Sequence, residues 1–330
     1  MNEKLIAFRA MAAALLLGLA VATPVEAQTW MTNGLVAHYP MHGEANDVSG
    51  YGMHGTLTGS PMMTTNRFGD SGDALGFNGG MDAIMLTNLN VNMVTNGQNT
   101  VCLWMRCDGG VDGSTNPVAM PFGWGDANQN YCLLFQRAGA GRFGFSDGMG
   151  DVYGTNFSSM LSNHWVHVAA VFNNGDMMNS GLYINGQRVG GSMTAGGMPM
   201  GMGMGMMVRR SASPMAFLGG FGGQGSVPYH FFGAISDVRI YNRSLTDAEI
   251  AALMQLDAAP TMRMMEGPTA GTENVEINSM MMDWQFQMQF SSDLTHWTNY
   301  SDVFMPGSNT MVRTIDMGEP QMFWRLQAKP

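Results

Sequence analysis

Residues 198–207 read MPMGMGMGMM, so Met198, Met200, Met202, Met204 and Met206 alternate with Pro or Gly. In an extended chain all five thioethers would lie on one face. Thioethers are soft ligands suited to Cu(I) or Ag(I), which makes a copper-binding array one reading of the tract. A flexible loop in a Met-rich chain is the other, and the positive charge of Arg209 and Arg210 just downstream does not help a cation site. Three cysteines, Cys102, Cys107 and Cys132, permit one disulfide and leave one thiol over. Cys102 and Cys107 would face opposite sides of a strand, so Cys102–Cys132 is the more plausible pair, and no ligand spacing suggests zinc. His164 and His167 also fall on opposite faces of a strand. The chain contains no HExxH and no phosphate-binding loop. Asp147 and Asp151 form a carboxylate pair, but in Gly-rich sequence where turn roles compete.

These groups must be positioned by a chain of 330 residues with 36 Met, 44 Gly and only 12% charged residues. Fifteen basic against 25 acidic residues give a net charge of −10, which argues against nucleic acid as a partner and against a polybasic membrane anchor. Lys4 and Arg9 precede an apolar run at 10–22, and Val25-Glu26-Ala27 offers a cleavage site. Residues 1–27 therefore read as a secretory signal peptide. A retained membrane helix is the competing reading, although the apolar run is short for a span. Cleavage would leave 34 Met in 303 residues, without a later transmembrane segment, in a periplasmic or extracellular location.

Short β-like runs separated by Gly, Asn and Asp recur at 34–41, 100–107, 131–137, 142–146, 164–172, 181–189 and 234–242. HWVHVAAVF (164–172) reads as a strand covered on both faces, and Asn185-Gly186 as a tight hairpin turn. The pattern predicts an all-β sandwich. Thr246-Asp-Ala-Glu249 forms a capping box that opens a helix. Residues 258–260 read as a linker, and 261–330 as a small C-terminal β domain.

The segments GLVAHYPMHGEANDVSGYGMHGTLTGS, FNGGMDAI, HWVHVAAVF, LYINGQRV and GAISDVRIYNRSLTDAEIAAL occur in this order between residues 34 and 254. Together they resemble a LamG-like jelly-roll domain of the concanavalin A-like lectin/glucanase superfamily, secreted bacterial type. The resemblance implies a jelly roll over residues 28–257. WQFQMQFSSDLTHWTNY near the end resembles, more weakly, a small β-domain of secreted bacterial proteins. Met41, Met105 and Met254 stand where the family usually has aliphatic or aromatic residues.

The resemblance carries expectations about function. Glucanases of this fold place Glu-x-Asp-x-Glu, or a variant one residue longer, on one strand. This chain has no Glu between Glu44 and Glu249, so a glycoside hydrolase ranks last among the readings. Related domains often hold a structural Ca²⁺ between the opening turn and the last strand, where Asp47 and Asp237 stand. Ser236 replaces a common Asp there, and the competing reading has Asp47 capping its turn and Asp237 pairing with Arg239 or another cation. Aromatic loops at 122–130, 148–157 and 222–233 offer Trp124, Tyr153 and Tyr229 as ligand contacts, while Phe231 and Phe232 are expected in the core. The chain thus reads as an exported, non-catalytic recognition or adhesion protein for a glycan or surface protein, with soft-metal binding as the alternative.

Overall fold

The computed structural model describes residues 29–108, 118–126, 129–136, 142–146, 152–155, 161–176, 179–189, 192–194, 212–220, 230–269, 271–278, 281, 283–316 and 322–329. The chain divides into two units, Met1–Gly34 and Leu35–Pro330. The described part of the first carries one helical turn, α1 (Thr29–Thr32). The Met tract at 198–207, Tyr229, Asp147 and Asp151 lie outside the described residues.

Among the described residues of the second unit, two eight-stranded antiparallel sheets face each other. The first has the order β13 (Gln187–Val189), β12 (Gly181–Ile184), β11 (Trp165–Asn173), β6 (Gln98–Cys107), β16 (Phe232–Tyr241), β4 (Ser71–Asn78) and β3 (Met62–Thr65). In it, β1 (Leu35–Tyr39) pairs with the second half of β16, and β4 with the first half. The second sheet runs β14 (Ser192–Thr194), β10 (Val152–Thr155), β9 (Arg142–Ser146), β8 (Gln129–Gln136), β7 (Val118–Asp126), β15 (Ala216–Leu218), β5 (Ala83–Leu86) and β2 (Thr56–Thr58). The expected all-β sandwich is what the chain forms.

Period-2 alternation explains the core. Val101, Leu103 and Met105 of β6, Val166, Val168 and Phe172 of β11, and Ile235 and Ile240 of β16 point inward. They meet Phe122, Trp124, Leu133, Phe143 and Phe145 from the other sheet. Met41 and Met105 are fully buried here, where a flexible thioether fills space that a branched aliphatic side chain would otherwise take. Asn185 and Gly186 both have positive φ, as the tight β12–β13 turn requires.

The outer face of the first sheet is also dry. Ala74, Trp104, Trp165 and Ala234 share a second core with Met254 and Ala258 of the helix α2 (Asp247–Ala258). Val275, Ile277, Trp284, Phe286, Met288 and Ile315 complete it from the C-terminal region. That region forms two three-stranded sheets, β17 (Thr261–Glu266), β18 (Thr272–Asn278) and β21 (Thr310–Asp316), and β20 (Thr298–Asn299), β19 (Gln285–Ser291) and β22 (Phe323–Lys329). Burial on both faces explains the continuous apolar sequence of β11, in which eight of nine residues are buried. The capping box of α2 forms as the sequence predicts, with Thr246 and Glu249 bonding reciprocally.

Three sequence expectations are corrected here. Cys102 is a free, buried thiol on the outer face of the first sheet, whereas Cys132 belongs to the second sheet, so the Cys102–Cys132 bridge is not formed. The expected aromatic loop at 122–130 is largely β-hairpin, with β7 running to Asp126 and β8 starting at Gln129. Phe231 is buried, but its neighbour Phe232 alternates outward and is 44% exposed. Among the described residues no helix is long and apolar enough to cross a membrane.

Candidate functional site

A β-bulge in β16 creates the polar centre of the first sheet. Between Ser236 and Arg239 the strand carries one residue more than its partner β6, and Asp237 takes the left-handed conformation with φ 52°. The bulge falls where β16 exchanges β4 for β1 as its neighbour. Asp237 Oδ1 accepts a hydrogen bond from His38 Nε2 at 2.8 Å and forms an ion pair with Arg239 Nη2 at 3.1 Å. Its Oδ2 accepts from Arg67 Nη2 at 3.1 Å. Arg67 also donates to Ser236 Oγ at 3.2 Å and to the Asp257 carbonyl at 2.9 Å, with its guanidinium 4.9 Å from the Trp104 ring. Arg239 donates to Asp257 Oδ2 at 2.5 Å.

Burial pushes the Asp237 carboxyl upward, but the His38 hydrogen bond and the Arg239 and Arg67 charges outweigh it and hold the group well below the usual range. Burial and the Asp237 charge push Asp257 up to about 6, against the attraction of Arg239. His167, next to this network, is pulled down to about 3 by burial and then by Arg239, with Asp237 opposing. Among the described residues its two ring nitrogens have no hydrogen-bond partner, and the ring sits edge-on to Trp104 at 5.4 Å.

Asp47 serves its own turn. Its Oδ1 accepts from the His38 and Ser49 amides, and its Oδ2 from Ser49 Oγ and the Met53 amide, all at 2.8–2.9 Å. Neither aspartate fits the expected Ca²⁺ site. A calcium ion needs several oxygens free to turn toward it. Asp47 has spent both oxygens on its turn, and two guanidinium groups stand against Asp237. Among the described residues no cluster of three or more His, Cys, Asp or Glu side chains could hold a metal ion.

The aromatic contacts fare differently from one another. Trp124, expected to stack on a sugar, is 1% exposed and packs edge-on against Phe122 at 4.9 Å and Phe172 at 6.0 Å. Its strand alternates Phe122 and Trp124 inward with Gly123 and Gly125 on the other face, so the indole belongs to the core. The backbone of Tyr153 pairs with Phe145 and Met193 in the second sheet.

A cleft that sequence reasoning missed opens at one end of the sandwich. It has a volume of about 380 Å³ and lies between the loop at 92–98 and the segment 242–244. Buried amides fix the first wall. Asn99, fully buried, accepts the Asn92 N–H at 2.8 Å and donates to the Asn92 carbonyl at 2.9 Å. Asn174, 1% exposed, donates its side chain to the Val94 carbonyl at 2.8 Å. Its backbone adds bonds to Asn96 and Gly97. Gly97 is required sterically, because a Cβ there would lie 2.5 Å from Asn92 Oδ1. Thr100 Oγ1 holds the second wall, donating to the Arg243 carbonyl at 2.8 Å and accepting the Leu245 N–H at 2.9 Å. Arg243 makes a two-pronged ion pair with Glu249 at 2.9 and 3.0 Å. The sequence signal was present in NLNVNMVTNGQN (88–99), an Asn-rich stretch bounding a strand.

Fold and motif order define a jelly-roll protein of the lectin and glucanase type. A laminin G family model, described as concanavalin A-like lectin/glucanases superfamily, matches residues 78–251, and the chain belongs to that superfamily. None of the curated proteins compared with the chain matches it. Among solved structures, it is similar to domain 4 of an extracellular arabinanase from Geobacillus stearothermophilus, solved with arabinotriose. That match has 24% identity and a TM-score of 0.46, over 67% of this chain and 98% of that one. The binding domain of Paraclostridial Mosquitocidal Protein 1 matches at 15% identity and TM-score 0.50, over 91% of this chain and 76% of that one. The botulinum neurotoxin serotype D binding domain matches at 13% and 0.47, over 85% and 72%.

Proposed function

We propose that this protein is an exported, non-catalytic carbohydrate-recognition protein. Membership of the lectin/glucanase superfamily over residues 78–251 carries the reading. Two further observations favour lectin over glucanase. The sequence between Glu44 and Glu249 has no glutamate, so the carboxylate set of the fold's glucanases has no place in the sandwich strands. The polar cleft between the 92–98 loop and residues 242–244 presents amides and hydroxyls rather than a carboxylate pair. The leader-like residues 1–27 support export.

Binding of the full mature chain to a glycan array, alongside a reducing-sugar release assay on the bound glycans, tests the reading. The expected result is retention of a defined glycan class without release of reducing ends. Release that survives repurification would replace recognition with hydrolysis, and an array without signal would remove the glycan.

A further inference from the structure

We propose that the cleft between the 92–98 loop and residues 242–244 is the saccharide site, and that it takes a neutral glycan through adjacent hydroxyl groups. The inference rests on the carbohydrate-recognition reading and deepens it by naming the place and chemistry of the site.

Hydrogen-bond accounting separates two kinds of amide in this region. Asn99 and Asn174 are buried, and their side chains hold backbone. Asn96, Gln98 and Asn242 line the cleft and make no side-chain hydrogen bond to the described residues. Each carboxamide offers an accepting oxygen beside a donating nitrogen. A pair of adjacent hydroxyls can donate to the one and accept from the other, which gives a sugar a two-point contact that water must otherwise satisfy. The walls are fixed by buried polar groups before any ligand arrives, so little ordering of the loop remains to oppose binding. Val94, 66% exposed on the lip, supplies an apolar surface for the C–H face of a ring.

The charge state of the cleft selects among saccharides. Its cation, Arg243, is already matched by both carboxylate oxygens of Glu249. The remaining lining residues are neutral, so no unmatched charge awaits a uronate, sulfate or sialate. The depression is shallow and largely open to solvent, so a short stretch of an oligosaccharide would lie along it rather than inside it. The lining has no aromatic platform, so recognition depends on the amides.

The test uses the full mature chain on an array carrying neutral oligosaccharides and galacturonate- or sialate-containing ones, followed by calorimetric titration with the strongest binder. Gln98→Ala and Asn242→Ala should each weaken that binding about three- to tenfold, and the double variant more, with thermal midpoints unchanged. Neutral-glycan binding that is unchanged in the double variant would overturn the site while leaving the recognition reading standing. A preference for acidic glycans would overturn the neutral chemistry. Absence of any array binding would overturn the inference together with the reading beneath it.

Discussion

Replacing Asp237 with Asn isolates what the polar centre of the first sheet contributes. Asn tolerates the left-handed backbone at this position, where φ is 52°, so the change is electrostatic rather than conformational. In the native fold two guanidinium groups, Arg67 and Arg239, face two carboxylates, Asp237 and Asp257. The side chains of Arg67, Arg239 and Asp237 are only 9–13% exposed. Removing one carboxylate leaves an uncompensated buried cation, a change that costs about 3–5 kcal/mol when one partner of a buried pair is lost. The amide oxygen still accepts one hydrogen bond, which places the expected loss near the lower figure. At about 2.1 cal/mol/K per residue, ~3 kcal/mol in a unit of roughly 300 residues corresponds to a fall in thermal midpoint of about 5 °C. Calorimetry of both proteins at neutral pH, with excess Ca²⁺ and with chelator, reads the outcome. Asp237→Asn should melt lower by that margin, and neither protein should respond to calcium, because protein cations already neutralise the carboxylate. A wild-type midpoint raised by Ca²⁺ would refute the reasoning, as would an Asn variant as stable as wild type.

Two other substitutions probe buried polar groups. His167 is held neutral in the fold, with its pKa pulled down to about 3, while in the unfolded chain it titrates near the ordinary imidazole value of about 6.5. The unfolded state therefore binds the extra proton first, and the fold loses roughly 1.4 kcal/mol per pH unit from this group as pH falls from about 6.5 toward 3. Urea unfolding of His167→Phe across that window should give a flatter pH profile than wild type; parallel profiles would show that the imidazole is not held neutral. Asn99→Ala orphans the N–H and carbonyl of Asn92, with an expected loss of about 1–3 kcal/mol and faster hydrogen exchange at 92–97. Unchanged exchange there would mean that the loop does not depend on this clamp.

Much of the sandwich was legible because its signals are local. The apolar run of β11, the Asn185-Gly186 turn and the Thr246–Glu249 box each carry their meaning within a few residues. The errors came from reading composition ahead of period. Gly123 and Gly125 gave 122–130 the look of a loop, yet the alternation Met120, Phe122, Trp124 is that of a strand with one apolar face. The fate of Asp237 depended on Arg67, 170 positions away, a pairing no local pattern announces. The cleft was missed for the same reason: its walls meet because Thr100 bonds to residues 143 and 145 positions later. Met254, which stands where the family usually has an aliphatic or aromatic residue, is buried in the second core with Met281 and Met288.

That second core makes a further prediction about how far the sandwich depends on its C-terminal region. In most half-open sandwiches an outward sheet face alternates polar residues toward water. Here the outward residues of β6, β11 and β16 include Trp104, Trp165 and Ala234, at 0%, 5% and 0% exposure, and their cover is α2 and residues 261–330. Trp104 alone meets Trp284 at 5.7 Å between ring centroids. Burying each large side chain of this kind contributes about 1.5–3 kcal/mol, so uncovering Trp104 and Trp165 together costs about 3–6 kcal/mol, comparable with the lower end of the stability of an ordinary domain, about 5–15 kcal/mol. A chain ending at Ala259 should therefore bind a hydrophobic dye and lose its cooperative melt, whereas the full chain does neither. The same strands supply both walls of the amide cleft, Gln98 and Thr100 from the start of β6 and Asn242 just past the end of β16. Loss of the C-terminal region should then abolish glycan binding without touching a cleft residue. A truncated chain that stays soluble, melts cooperatively and keeps the wild-type affinity would show that the sandwich needs no such cover.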